Sequence, residues 1–267
     1  GKGFKGENVA PCGNGLGLKV NVCFCCGNDM GYWNADAMAN LGSTGCPLCR
    51  SLSLYGFGGG VFHHMRQKGF NENKGSKIGA TLSGIIYKPT PDVSLGLKAS
   101  VALGTTKKEV FNGDATFEIS FNSSGGINQI GFEGNVYFIT SEYTMAMSDV
   151  TSNAKGLSDG KKTPDKASNS DRAQIWGNIK LLFDNVNSVF HGEVKVYANV
   201  AGGMIRGIGS QDLAGWAVSQ FASSEWCSHI GSTTNPVGME IARSIKTKSY
   251  IMVGQELTGS PTPPEKD

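Results

Sequence analysis

Charge is scarce in this sequence of 267 residues. Asp, Glu, Lys and Arg make up 17% of it, against a usual share of about 25%. The 24 basic and 22 acidic residues leave a net charge of +2. That is too little for the basic stripe that nucleic-acid binding needs. Lys107-Lys108 and Lys161-Lys162 stand beside turn residues and read as solvated loop charge. Long apolar runs are also missing. None approaches the roughly 18–20 residues of a membrane-crossing helix, and no secretory signal is present. Gly-X-Y triplets are absent, which excludes collagen. There is no H-E-x-x-H helix, no serine on a strand-to-helix elbow and no paired-carboxylate pattern, so the sequence does not point to an enzyme.

What is present is glycine, at 38 residues, and short alternating runs. Together these predict an all-β protein. In "VSLGLKASVALG", Val93, Leu95, Leu97, Ala99, Val101 and Leu103 share one face of a strand, while Ser94, Gly96, Lys98 and Ser100 take the other. "GDATFEISFNSSGGINQIGFEGNVYFIT" reads as a hairpin turned by Asn and Gly. Its apolar row is Ala115, Phe117, Ile119 and Phe121, returning through Ile130, Phe132, Val136 and Phe138. "AQIWGNIKLLF" and "HGEVKVYANV" form a second hairpin across "DNVNS". There Val194, Val196 and Val200 are expected inward, and Glu193, Lys195 and Asn199 outward. The prolines of "KPTPD" predict a chain reversal.

The expected fold is an antiparallel meander of about ten to twelve strands, forming a curved sheet, sandwich or partial barrel with little helix. The one helix expected is "NADAMANLG", capped by Asn34 and ended by Gly42. Residues 1–50 are expected as a Cys-rich segment packed on the sheet. Residues 51–258 form the meander, with a polar loop at 148–172. The Pro-rich stretch 259–267 reads as a linker to a further module, and the opening Gly-Lys-Gly as the start of a processed product or of a piece of a longer chain.

Five of the seven cysteines lie in "CFCCGNDMGYWNADAMANLGSTGCPLC". Cys23 and Cys26 form one C-x2-C pair, and Cys46 and Cys49 another. This spacing suits a four-thiolate zinc site, since each turn aims two sulfurs at one tetrahedral centre. Against it, Cys25 crowds the site, and strand alternation puts Cys23 and Cys25 on one face and Cys26 on the other. Disulfides among Cys23, Cys25, Cys26, Cys46 and Cys49 are therefore preferred, with no cofactor and structural zinc as the alternative. A longer bridge from Cys12 or Cys227 to Cys25 is a further option.

Other candidate groups carry less. His63 and His64 are neighbours on a strand and should point to opposite faces, unable to share a metal. Glu225, Cys227 and His229 share a face, but residues two apart on a strand sit about 6–7 Å apart, beyond hydrogen-bond reach. "GFGGG" at Gly56–Gly60 lacks the context of a phosphate loop and reads as room for side chains packing across the sheet. Asp159, Asp165 and Asp171 lack EF-hand spacing.

The blocks "YGFGGGVFHHM", "FEISFNSSGGINQIGFEGNVYFIT" and "AGWAVSQFASSEWCSHIGSTTNPVGMEIARSIKTKSYIMVG" resemble recurring blocks of very large, functionally uncharacterised exported proteins of Bacteroidota, over roughly Tyr55 to Gly254. The resemblance implies a module of a long surface or secreted polypeptide. The expected function is thus non-enzymatic, in structure, assembly or adhesion. It would sit outside the cell or on its surface, with other modules of the same polypeptide or other surface proteins as partners. Two alternatives stand beside it. One is an outer-membrane β-barrel segment, whose apolar rows would have to face outward. The other is a glycan- or ligand-binding module using Trp33, Trp176 or Tyr197 as stacking platforms.

Overall fold

Two-residue alternation becomes strand almost throughout the computed structural model. Its backbone is described for residues 4–12, 16–27, 30–42, 45–67, 87–107, 109–140 and 173–255. Side chains are described for residues 31–42, 45–66, 87–107, 109–140 and 173–255. The loop expected at 148–172, the linker at 259–267 and the acidic residues of 159–171 lie outside these ranges. The strands are β1 (Phe4–Cys12), β2 (Leu16–Gly27), β3 (Met30–Asn40), β4 (Cys46–Cys49), β5 (Leu52–His63), β6 (Met65–Gln67), β7 (Tyr87–Pro89), β8 (Leu95–Thr105) and β9 (Phe111–Phe121). They continue as β10 (Ile127–Thr140), β11 (Ala173–Asp184), β12 (Val189–Val200), β13 (Ile205–Gly207), β14 (Leu213–Phe221), β15 (Trp226–Ile230), β16 (Met239–Ile241), β17 (Ile245–Lys246) and β18 (Ile251–Gly254).

Sixteen of these strands join one sheet. The antiparallel meander runs β1-β2-β3-β5-β8-β9-β10-β11-β12-β14-β15-β18. Strands β13, β16 and β17 extend from the end of β12, and β4 pairs with the start of β5. β6 and β7 pair separately. Among the described residues β1 and β18 are not paired with each other, so the sheet is open. The sheet exceeds the expected count because residues 1–50 enter it as strands and short strands flank its ends.

The expected helix over Asn34–Gly42 is a strand instead. Alanine favours helix, but Ala35, Ala37 and Ala39 alternate with buried Asn34, Asp36 and Met38. β3 pairs with β2 along one side and β5 along the other, so its backbone groups are satisfied within the sheet. Both predicted hairpins form. In the β9–β10 turn, Asn122 Oδ1 accepts from the backbone of Ser124 and Gly126, and Gly125 has φ +81°. In the β11–β12 turn, Asp184 accepts from the backbone N–H and the side chain of Asn187.

The faces are reversed from expectation. Along β8, Gly96, Lys98, Ser100 and Ala102 are buried, whereas Leu95, Leu97 and Val101 are exposed. Phe57, Phe117, Val136, Val194 and Val196 are exposed as well, while Glu118, Ser120 and Thr116 are buried. On β12, Val194 is 38% exposed, and the Glu193 and Lys195 side chains opposite are 16% and 38% exposed. Val194 and Val196, expected inward, thus face outward, whereas Asn199 is exposed as expected and Val200 is half-buried.

The described residues of the connection from β5 to β8, 64–67 and 87–94, fold against the polar face. Tyr87, Met65 and Val93 pack with Phe62 and Tyr32 into one fully covered cluster. The Phe62 and Tyr87 ring centroids lie 4.6 Å apart. Backbone bonds join the two described ends of the segment, His64 N–H donating to Val93 O and Thr90 N–H to His64 O, and one fixes it to the wall, from Ser94 N–H to Phe121 O. Asn128 Nδ2 also donates to Asp92 O at 2.6 Å. The two ends of the sheet differ. Residues 122–126, 185–188 and 222–225 turn tightly at the end where this segment folds in. The opposite end carries the longer connections 41–51, 141–172, 201–212 and 231–250, together with the short ones 13–15 and 106–110.

Phe62 lies flat over Gly96, where a Cβ would meet its ring carbons at 1.9 Å. Gly96→Ala is expected to cost about 1–3 kcal/mol by overpacking. Gly215→Ala, with nothing within 4 Å of the added carbon, should be near neutral. Denaturation midpoints of the two variants check the contrast, and equal midpoints would contradict this packing.

Candidate functional site

Polar residues on the buried face line up in rows that cross the strands. One row contains Asp36, Gly60, Lys98 and Glu118 on β3, β5, β8 and β9. Lys98 Nζ lies 2.6 Å from Asp36 Oδ1, with both side chains at most 3% exposed. The two belong to strands that are not neighbours, and the contact passes over β5 at Gly60. A Cβ there would stand 2.1 Å from Asp36 Oδ1 and 2.7 Å from Lys98 Cε. Glycine at 60 is therefore a steric requirement of the ion pair, which gives part of "GFGGG" its reason. Gly58 does the same for Met38, whose Cγ would lie 2.8 Å from an added Cβ.

The inserted segment completes this cluster. The Tyr87 hydroxyl donates to Glu118 Oε2, and Lys98 Nζ sits 5.4 Å from the Tyr87 ring centroid. Burial raises the Tyr87 phenol well above its ordinary value, and the Glu118 carboxylate adds to the shift. Tyr87 thus stays a donor. Two carboxylates, one ammonium and one phenol share a space largely closed to water, where an ion is tolerated only with close partners.

Away from that segment the polar face is more open. Lys180 Nζ lies 3.2 Å from Glu133 Oε1, with the side chains 38% and 27% exposed. Lys195 pairs with Glu193 on the same strand. One row further, Asn178 Nδ2 donates to Asn135 Oδ1 at 2.8 Å, and Asn135 Nδ2 to Asp114 Oδ2 at 2.9 Å. Trp176 and Tyr197 stack on each other, with centroids 3.7 Å apart and planes 4° apart. Their facing surfaces are spent on each other, which removes one stacking platform each.

The cysteines expected as one site are not brought together. Cys23 lies opposite Asn34 on β3, and Asn34 opposite Phe62 on β5. Cys46 instead lies opposite Leu54. From Leu54 to Phe62 the chain advances roughly 26 Å at about 3.3 Å per residue. A zinc ion holds its sulfurs within about 2.3 Å, and a disulfide joins sulfurs about 2.05 Å apart. Neither spans the two pairs in this register. Cys46 and Cys49 are exposed free thiols. The side chains of Cys12, Cys23, Cys25 and Cys26 lie outside the described residues. Among the described residues no group of three or more His, Cys, Asp or Glu is placed to hold a metal ion.

His63 and His64 do not point to opposite faces. β5 ends at His63, and His64 has φ +50°, so the rings stack with centroids 3.8 Å apart. Their Nδ1 atoms meet Ser94 O at 2.5 Å and Gly31 O at 3.0 Å. Cys227 and His229 share the buried face of β15. Cys227 is a free thiol, and His229 Nδ1 has no hydrogen-bond partner among the described residues. Trp33 is on the apolar face, stacked on His63 at 6.0 Å. Beside the sheet, Arg206, Asp212, Glu240, Lys246 and Lys248 line a cleft of about 350 Å³. Two of its cations are engaged by Glu240, Arg206 at 3.2 Å and Lys246 at 3.3 Å. Sequence reasoning missed the Asp36–Lys98–Glu118–Tyr87 cluster. Its signal was Lys98 alone among Gly96, Ser100 and Ala102 on β8, and Asp36 between Asn34 and Met38 on β3.

Comparison of the chain with protein-family models, curated proteins and solved structures finds no match.

Lys98→Met should destabilise the fold by about 3–5 kcal/mol, the usual cost of leaving a buried charge unpaired. Adding Asp36→Leu to that variant should recover much of the loss. Denaturation of the two variants checks this, and a single substitution without cost would show that the pair contributes nothing.

Proposed function

We propose that this sheet is the wall of a membrane-spanning β-structure of the outer-membrane type, with its apolar face against lipid and its polar face inward. The observation that carries the reading is the direction of the rows. From β3 to β18, the outward row of the meander strands holds no Asp, Glu, Lys or Arg among the described residues. Its few polar groups include Ser219 and Ser228, whose hydroxyls meet at 2.9 Å.

The dimensions agree. On β9 the row runs from Phe111 to Phe121, about 33 Å along the strand, or about 25 Å of height at the 35–45° tilt of barrel strands. The row crosses ten strands, β3, β5, β8, β9, β10, β11, β12, β14, β15 and β18. That gives an apolar surface on the order of 1,500 Å² at about 4.8 Å per strand, against the few hundred Å² tolerated on soluble monomers. Aromatic side chains mark the borders. Phe183, Phe190, Phe221 and Trp226 occupy one cross-strand row near the tight turns. Phe111 and Phe138 meet at 5.2 Å near the other end. Such girdles sit where lipid meets water.

The reading also sets a requirement. Hydrocarbon does not satisfy an open edge, so β1 and β18 must be paired in the bilayer. The resemblance of Tyr55–Gly254 to exported Bacteroidota proteins supports a surface location. The structural or adhesive module remains the competing reading, in which protein rather than lipid covers the apolar rows.

Tryptophan reports on the choice. Trp226 belongs to the apolar row and Trp176 to the polar face. With all other tryptophans replaced by Phe, Trp226 should be quenched severalfold more strongly than Trp176 by brominated lipid in vesicles. A chain that stays monodisperse without detergent, with neither tryptophan quenched, would instead favour the protein-covered module.

A further inference from the structure

We infer that the part of the polar face carried by β10, β11 and β12 lines a water-filled path across the membrane, open to small hydrophilic ions and solutes of either charge. The inference rests on the membrane reading above and deepens it. The polar face divides into two regions. Over β3, β5, β8 and β9 it is filled, because Tyr87, Met65 and Val93 pack against Phe62, and Asp36 and Lys98 are at most 3% exposed. Over β10 to β12 the charged side chains at mid-strand keep contact with solvent, Lys180 and Lys195 at 38%, Glu133 at 27% and Glu193 at 16%.

Depth makes that exposure informative. Glu133, Lys180 and Glu193 pair across three neighbouring strands. In the outward row directly beside them lie Gly134, Ile179 and Val194, the middle of the apolar belt. A partly exposed ammonium at that depth cannot be solvated by hydrocarbon. Its only source of water is the inside of the wall. Residues 64–67 and 87–94 of the inserted segment border the path on the β9 side and are held to the wall by hydrogen bonds from Ser94 to Phe121 and from Asn128 to Asp92, so that border is fixed.

The charge there is balanced. At mid-strand two lysines, Lys180 and Lys195, stand with two glutamates, Glu133 and Glu193, while Asp184 at the end of β11 is covered and held by Gln129 and Asn187. Rings of one sign select ions, and a mixed lining does so only weakly. Removing both ammonium groups leaves two carboxylates, which should attract cations and repel anions.

Planar-bilayer recording with potassium chloride tests this. The chain should give discrete conductance steps with a potassium-to-chloride permeability ratio near one. Lys180→Gln with Lys195→Gln should raise that ratio severalfold, and Lys180→Arg with Lys195→Arg should leave it near one. Vesicle flotation and lipid quenching run in parallel. Steps whose selectivity ignores the glutamine variant would overturn the assigned lining. Insertion without steps would overturn the path while leaving the membrane reading intact. Failure to insert would remove both.

Discussion

The contact between Lys98 and Asp36 across Gly60 organises the molecule. An ammonium and a carboxylate almost wholly removed from water must find each other, and here they do so over an intervening strand. That reach is available only because β5 carries hydrogen where other residues carry a side chain. Once the pair exists, Glu118 needs its own donor, and Tyr87 supplies it from the connection between β5 and β8. The segment is thereby fixed against the wall, and Phe62 can lie flat over Gly96 beneath it. The face bearing charge becomes the covered one, and the apolar rows are left facing out.

On the membrane reading, this inversion is what a bilayer asks of a β-protein. In water, a sheet turns Phe, Val and Ile toward a core. In lipid, those side chains face the solvent, and the interior is the place for Asn, Thr, Lys and Glu. The chain fits the second arrangement at the level of single rows. Asp114, Asn135 and Asn178 connect by hydrogen bonds inside, next to Ala115, Gly134 and Ile179 outside. The two regions of the polar face then have different tasks, one filled and rigid, the other lined by ion pairs still in contact with water.

The sequence made the strands legible. Ala115-Phe117-Ile119-Phe121 and its return needed only the two-residue period and the Asn and Gly of the turn. It did not reveal which row faces in. Alternation is symmetric, and assigning Val194 and Val196 to the interior assumed water outside. β3 was missed because alanine hides a two-residue rhythm behind a helix-favouring residue. The cysteine pairs looked joined because spacing in sequence carries no register, and register puts them at different heights on β5. His64 escaped because one left-handed residue after a strand end undoes the opposite-face rule. The ion pair over Gly60 was partly visible, since Gly56–Gly60 suggested room for side chains packing across the sheet, but Lys98 lies 38 residues after Gly60 and Asp36 lies 24 before it.

The ends of the sheet are unequal, with tight turns at residues 122–126, 185–188 and 222–225, and with the connections 141–172, 201–212 and 231–250 opposite beside the short 106–110. A sheet that enters a membrane from one side must draw one set of connections through the hydrocarbon. The tight turns, a few residues each, present the smaller polar load to that passage. The stretch 141–172, rich in Ser, Asn, Asp and Lys, would be far costlier to move. On the membrane reading, entry would be directional, with the longest connections remaining on the side of origin. The described residues of the connection between β5 and β8, 64–67 and 87–94, would then travel against the polar face rather than against lipid.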